Sequence, residues 1–288
     1  MDNSRILVLG GNGQLGTSLR TVFPEATFAD RDEFDITDLG AYITMDWNRY
    51  DTLINAAAMT NVDGAETPEG RELAWKLNAT AVAHMTRIAN ENKLTLVHVS
   101  SDYVFDGAQS PHLETEQFAP LSSYGASKAA GDIAACLTLQ HYILRTTWVI
   151  GQGKNFIRTM WDLAGRDIKP NVVNDQIGRL TFASDLAAAI KHLLETKAEY
   201  GTYNMTNDGD SVSWADFAKL TYEAAGKSAD DVTGVTTAEY YKDKEGIALR
   251  PLQSEMDLTK IKATGFTPRD WRAALDEYLD KLKEETKE

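Results

Sequence analysis

The 288 residues contain one cysteine, Cys136, so no intramolecular disulfide can form and an intracellular location fits. In the run Ile-Ala-Ala-Cys-Leu that thiol reads as a small core residue. Basic charge is also scarce. Lys and Arg total 29 against 43 Asp and Glu, a formal net charge of −14. That balance argues against nucleic-acid and anionic-membrane partners, which call for a basic surface. It leaves room for an anionic small ligand, because a few backbone N–H groups and local cations can hold a phosphate. No apolar run approaches the ~18 residues of a spanning helix. The opening Met-Asp-Asn-Ser-Arg leads into a strand with no signal-peptide core, so the chain reads as cytoplasmic. Repeats, low-complexity tracts and long linkers are absent. His84, His112 and His141 read as surface or packing residues, and His98 as a strand residue near a cleft. No Cys/His cluster has ligand spacing, so no metal is assigned.

What is present describes an ordinary globular chain, 43% hydrophobic and 25% charged, long enough for one large or two modest domains. Ile6–Leu9, Thr52–Ile54, Leu94–Val99 and Tyr142–Leu144 are short, nearly continuous apolar runs, as in strands buried on both faces. Helical patterns lie between them at about Leu15–Val22, Pro68–Asn92 and Ser123–Leu139. This alternation predicts an α/β fold, a Rossmann-type doubly wound parallel sheet. The second half is more helical, at about Asn155–Ala164, Ser184–Glu195, Ser213–Ala225 and Pro268–Lys283, with a short strand at Asn171–Val173. Trp271, Leu275, Tyr278, Leu279 and Leu282 make one apolar stripe on the last helix. The expected division is a nucleotide-binding domain over residues 1–150 plus about 180–205, and a smaller α/β substrate lobe over 151–179 and 206–288. The active site is expected in the cleft between them.

Gly10-Gly-Asn12-Gly13-Gln14-Leu15-Gly16 follows the first strand and opens a helix. Such glycines let the backbone turn tightly and approach a pyrophosphate seated at a helix N-terminus. Asp30, twenty residues beyond Gly10, completes a dinucleotide fingerprint and is expected to end the second strand. A carboxylate there accepts from ribose hydroxyls and favours NADH. Arg31 beside it can pair a 2′-phosphate and favours NADPH, so the preference stays open. Asp35 and Ile36 are placed beside the adenine. Asn55-Ala-Ala57-Ala58, at the end of the third strand, leaves room for a flat ligand or serves only tight packing. Asn78 sits mid-helix, where an Asn often just faces solvent.

Tyr124-Gly-Ala-Ser-Lys128 puts a phenol and an ammonium one helical turn apart. A cationic neighbour favours the ionised phenol and lowers its pKa, and a Tyr tuned in this way can pass a proton to a substrate oxygen. Ser101, in the loop after the Leu94–Val99 strand, can hold a substrate carbonyl beside that phenol.

With these residues in place the chain resembles the extended short-chain dehydrogenase/reductase family. Within it, the resemblance is to the dTDP-4-dehydrorhamnose reductases. The matching segments are Gly10–Gly16, Asn55–Thr60, Ser101–Gly107, Tyr124–Lys128, Arg145–Val149, Gly153–Phe156, Val173–Gln176 and Arg250-Pro251, in order along nearly the whole chain. The resemblance implies a Ser101/Tyr124/Lys128 triad. Tyr124 would protonate the C4 oxygen of a keto-sugar as a nicotinamide delivers hydride, Lys128 would hold the nicotinamide ribose, and Ser101 would orient the keto oxygen. The family more usually has Thr at that last position, and either hydroxyl can do the work. Ala57, Ala58, Met59 and Asn78 would touch the cofactor. Asp102, Tyr103 and Trp148 would line the sugar site, with Asn155 and Arg250 for the nucleotide-sugar phosphates. Some members form dimers that share Mg²⁺ through acidic side chains; those carboxylates are not matched here, and the chain is expected to be a monomer or homodimer. Two other readings compete. A related epimerase or dehydratase is one, although dehydratases place Asp-Glu after the catalytic hydroxyl and here Tyr103 follows Asp102. A regulatory subunit like methionine adenosyltransferase β is the other, against which the intact triad counts.

Overall fold

The computed structural model describes residues 1–286. Five parallel strands come in sequence, β1 (Ile6–Leu9), β2 (Thr27–Ala29), β3 (Thr52–Asn55), β4 (Thr95–Ser101) and β5 (His141–Thr146). A sixth, Gly201–Asn204, joins in parallel beside β5, so the sheet order is Gly201–Asn204, β5, β4, β3, β1, β2. Strand order reverses between β1 and β3. At such a switch point the loops leaving neighbouring strands splay to opposite faces and open a crevice.

Strand alternation divides the core into two layers. Ile6, Val8, Ile54, Val97 and Leu144 pack against α1 (Gln14–Val22) and the helix Ala183–Thr196. Leu7, Leu9, Leu53, Leu96 and Ile143 pack against Val82, Met85 and Ile88 of the helix Ala81–Asn92. Helices on both faces explain why the strands read as unbroken apolar runs rather than alternating ones. The expected doubly wound parallel sheet is the fold observed.

After β5 the chain builds a second body from three two-stranded ribbons and the helices Phe156–Gly165, Trp214–Ala224 and Trp271–Glu285. Trp271, Leu275, Leu279 and Leu282 bury their stripe there against Ile150, Leu180 and Phe217. Ala183–Thr196 and Gly201–Asn204 interrupt this body to return to the central sheet.

Three local expectations need correction. The helix expected over 68–92 is Pro68–Trp75, one π-helical turn at Lys76–Thr80, then Ala81–Asn92. The wider turn carries Asn78 inward, where its side chain is buried rather than facing solvent. The helix expected to reach Leu139 ends at Ala135, its last buried position, and Cys136 beyond it is exposed rather than in the core. Asp30 lies just past β2, whose last residue is Ala29. Among the described residues no helix is long and apolar enough to cross a membrane.

Candidate active site

The glycine loop sits at the switch point, and two close approaches require its glycines. Gly10 has φ +82°, and a Cβ there would stand 2.7 Å from Ala57 N across the crevice. A Cβ on Gly16 would stand 2.2 Å from the Gly10 carbonyl oxygen, so only glycine lets α1 start so close to β1. Gly13 caps α1 without a side-chain hydrogen bond. The first-turn amides of α1, from Gln14 to Gly16, therefore point outward as an anion site. Leu15 contributes only backbone, because its side chain lies in the core. The Gln14 amide oxygen is buried beside Gly151 with no partner.

A cavity of about 360 Å³ continues from this loop. Gly10, Gly13, Asp30, Arg31, Asp35, Ile36, Ala57 and Ala58 line it, as the sequence reading expects. The sequence reading misses Phe34, Thr37 and Lys76, which also line it and carry no motif. Asp30 accepts the Asn12 N–H at 2.6 Å, and its own N–H donates to Glu33 at 2.9 Å. The exposed Arg31 lies 3.6 Å from Asp35, whose carboxyl is held below its usual range by the Thr37 N–H and hydroxyl. A glycine cradle with no room for Cβ atoms, outward amides and a ribose-facing carboxylate fit a dinucleotide. Asn78 and Met59, expected to touch the cofactor, do not line this cavity: the buried Asn78 accepts from Met59 N (2.9 Å) and donates to Met59 O (3.0 Å) and Ser127 Oγ (3.0 Å) behind it. Ser127 Oγ in turn donates to the Tyr124 carbonyl at 2.7 Å. Asn78 thus ties the crevice loop to the helix that carries the phenol.

That helix, Ser123–Ala135, is capped by Ser122 Oγ, which accepts the Gly125 N–H at 3.1 Å. Its first turn lies directly on the loop after β4, and Tyr103 meets Tyr124 edge to face at 5.5 Å. The Ser101 hydroxyl adjoins the Tyr124 phenol, accepts the Tyr103 N–H at 3.2 Å and donates to Asp102 Oδ1 at 2.9 Å. Lys128 Nζ donates to the Val99 carbonyl at 2.7 Å. The structure therefore brings Ser101, Tyr124 and Lys128 together at the carboxyl end of β4.

The electrostatics differ from the expectation in one respect. Tyr124 is not pulled down by Lys128; burial raises it above the ordinary phenol value, the adjoining Ser101 hydroxyl opposes the rise, and Asp102 and Asp132 add to it. Lys128 turns its ammonium to the Val99 carbonyl instead, and burial lowers it to about 8 against the pull of Asp132. Burial likewise lifts Asp102 to about 6, opposed by the hydroxyls of Ser254 and Ser101.

A second cavity, of about 260 Å³, opens on the far side of Tyr103 and is lined also by Phe156, Gln176, Trp214, Tyr241 and Arg250. Trp148 supports its wall from behind: it takes φ +42° and stacks on Trp214 at 3.9 Å. Of the expected substrate contacts, two are corrected, Asp102 and Asn155, and Arg250 lies where it is expected but already paired. Asp102 is 1% exposed and points at Ser101, so it sets that hydroxyl rather than lining the cavity. Asn155 caps the helix Phe156–Gly165 through Arg158 N and spends its amide on Gly151 O, Gly153 O and the Tyr278 hydroxyl. Its side chain is fully engaged in holding the chain together. Arg250 does reach the cavity, but its Nη2 donates to both Asp63 oxygens at 2.8 Å and its Nη1 to Ala248 O at 2.8 Å, with the guanidinium over the Tyr241 ring. Asp63 has no sequence signal. Among the described residues no three His, Cys, Asp or Glu side chains gather as a metal site.

The comparisons with known proteins agree with this geometry. A family model described as the RmlD substrate binding domain matches residues 4–284. The chain is 37% identical to a dTDP-4-dehydrorhamnose reductase of Aggregatibacter actinomycetemcomitans, over 94% of this chain and 97% of that protein. The structure of a dTDP-4-dehydrorhamnose reductase from Clostridium acetobutylicum superposes with a TM-score of 0.88 at 34% identity, over 96% of this chain and 99% of the other. That of the Bacillus anthracis reductase in complex with NADP gives 0.87 at 32%, over 96% and 99%. The chain belongs to the dTDP-4-dehydrorhamnose reductase family.

Proposed function

We propose that the chain reduces the C4 keto group of dTDP-4-dehydro-6-deoxy-L-mannose to dTDP-L-rhamnose, in the cytoplasm, as a monomer or homodimer. The observation that carries this reading is one protonated phenol, Tyr124, flanked by Ser101 and Lys128 between a dinucleotide crevice and an aromatic cavity. NADPH or NADH, when bound, supplies the hydride that goes to C4. The chain's own residues supply the proton and the placement. Burial keeps Tyr124 protonated at neutral pH, so it serves as the acid and gives its proton to the C4 oxygen. The carbonyl thereby gains one hydride on carbon and one proton on oxygen, and solvent returns the proton to Tyr124.

Ser101 orients the keto oxygen by turning its one hydroxyl hydrogen from Asp102 to that oxygen, while its own oxygen still accepts the Tyr103 N–H. Lys128 would hold the nicotinamide ribose when the cofactor is bound, its ammonium turning from the Val99 carbonyl towards it. Residues 1–150 with about 180–205 bind the dinucleotide, and 151–179 with 206–288 bind the nucleotide sugar. The Arg250 guanidinium takes a phosphate of the nucleotide, exchanging Asp63 for it. Product identification tests the reading. Incubation of the enzyme, NAD(P)H and the keto-sugar should give dTDP-L-rhamnose by NMR, and formation of the C4 epimer or of no reduced sugar rejects it.

A further inference from the structure

Ser101, Tyr124 and Lys128 account for the reductive step and leave a buried carboxylate one turn beyond Lys128 without a role. Asp132 is 1% exposed on the inner face of the same helix. Its Oδ2 accepts from Arg145 Nε at 2.9 Å. Its Oδ1 has no hydrogen-bond partner and lies 3.8 Å from His98 Nε2, which is also buried and unpartnered. Ser100, which pairs with Arg145 across β4 and β5, adds a buried hydroxyl beside them.

The tautomer of His98 follows from its neighbours. The Asn55 amide oxygen accepts the Ala57 N–H at 3.1 Å, so the NH₂ end of Asn55 is what meets His98 Nδ1 at 3.1 Å. An amide NH₂ only donates. Nδ1 therefore accepts, and Nε2 carries the hydrogen on the side of Asp132 Oδ1. Burial and the charge of Lys128 hold His98 well below its usual value, so it is neutral. A line of polar contacts thus runs from Ala57, in the cofactor crevice, through Asn55 and His98 to Asp132.

Lys128 needs a counter-charge. Its ammonium is buried and has one hydrogen bond, to Val99 O. A buried ammonium without an opposite charge gives up its proton. Around it stand Tyr124 one turn back, the neutral His98 on β4, and Asp132 one turn on, with Arg145 on β5 behind the carboxylate. Asp132 is the one carboxylate in that set.

We propose that Asp132 is a positioning residue: gripped by Arg145 and faced by the His98 Nε2–H, its carboxylate keeps Lys128 an ammonium aimed at the floor of the active site. The role in turnover rests on the reductase reading above; the electrostatic role does not. The test follows the titration of Lys128 by NMR of lysine ε-carbons in the full chain, with the signal assigned by its loss in Lys128→Met. Asp132→Asn should lower the Lys128 midpoint by about one pH unit or more, and Asp132→Glu should restore it.

Asp132→Asn leaves Arg145 buried alone and can cost the fold. In that event Asp132→Asn combined with Arg145→Met removes both charges together, and a smaller downward shift is expected, because loss of the more distant Arg145 cation offsets part of it. An unchanged or raised midpoint in a folded variant lacking the carboxylate overturns the proposal. The alkaline limb of kcat against pH should move with the midpoint, which loss of packing alone does not produce. The titration needs no sugar, so a wild type that fails to oxidise NAD(P)H would remove the reductase reading and leave this result standing.

Discussion

Gly125 lies so close to Tyr103 that a Cβ on it would stand 2.2 Å from the Tyr103 carbonyl oxygen. The contact presses the first turn of the Tyr124 helix onto the loop that carries Ser101, and so sets the distance between phenol and hydroxyl. Gly125→Ala must push the two apart. Overpacking of this kind costs about 1–3 kcal/mol, and a displacement of about 1 Å at reacting groups costs roughly a hundredfold in rate. Denaturant unfolding and steady-state kinetics read the two losses separately. Wild-type activity in Gly125→Ala would show that the close approach does not set the site.

Lys128 links stability to activity. Its folded value, about 8, lies below the ordinary 10.5 of an unfolded lysine. Between those two values the unfolded chain binds more protons, so stability rises with pH across the window, and the burden of burying the charge is full below about pH 8. Lys128→Met should therefore be inactive yet more stable near neutral pH, by an amount on the order of 1–3 kcal/mol. The gain should fade as pH rises from about 8 towards 10.5. Urea titrations at several pH values check it; a variant less stable than wild type throughout contradicts it.

Asp30 and Arg31 pull cofactor choice in opposite directions, and the geometry favours the carboxylate as the decisive one. Asp30 is fixed by the Asn12 N–H, whereas the Arg31 side chain is 87% exposed. Asp30→Ser keeps a hydrogen-bond acceptor and removes the charge that repels a 2′-phosphate. The ratio of kcat/KM for NADPH over NADH should rise about tenfold, a change of roughly 1.4 kcal/mol. A ratio that does not move would return the choice to Arg31.

Arg250 offers a separate handle on the nucleotide-sugar side. Its partner Asp63 is 41% exposed, so breaking the pair costs little stability. Arg250→Ala should raise the KM for the nucleotide sugar by about tenfold or more and leave NAD(P)H affinity, measured by calorimetry, as in wild type. An unchanged KM would mean that the guanidinium serves Asp63 alone.

The fold and the crevice were legible in the sequence because each rests on local pattern. Unbroken apolar strands announced the two-sided sheet, and Gly10, Gly13, Gly16 and Asp30 occur at a spacing that only backbone geometry demands. What escaped depends on pairs distant in the chain. Asp63 and Arg250 are 187 residues apart, and nothing local marks either as the other's partner. Asn78 looked like a surface residue because a π turn cannot be read from helical spacing, and that turn is what buries it. Cys136 is exposed rather than packed because the helix ends at Ala135, four residues short of the Leu139 that its apolar pattern suggests. The Tyr124 phenol was expected low because charge spacing is visible in a sequence and burial is not; in the structure burial acts more strongly.

The central claim is that Tyr124 gives the proton, and Tyr124→Phe tests it most directly. The substitution removes one oxygen and leaves the ring against Tyr103. With the keto-sugar present, NAD(P)H absorbance followed in time should show oxidation by wild type. In Tyr124→Phe the rate should fall by about 10²–10⁴, with cofactor and sugar still bound. Undiminished oxidation in Tyr124→Phe would contradict the account.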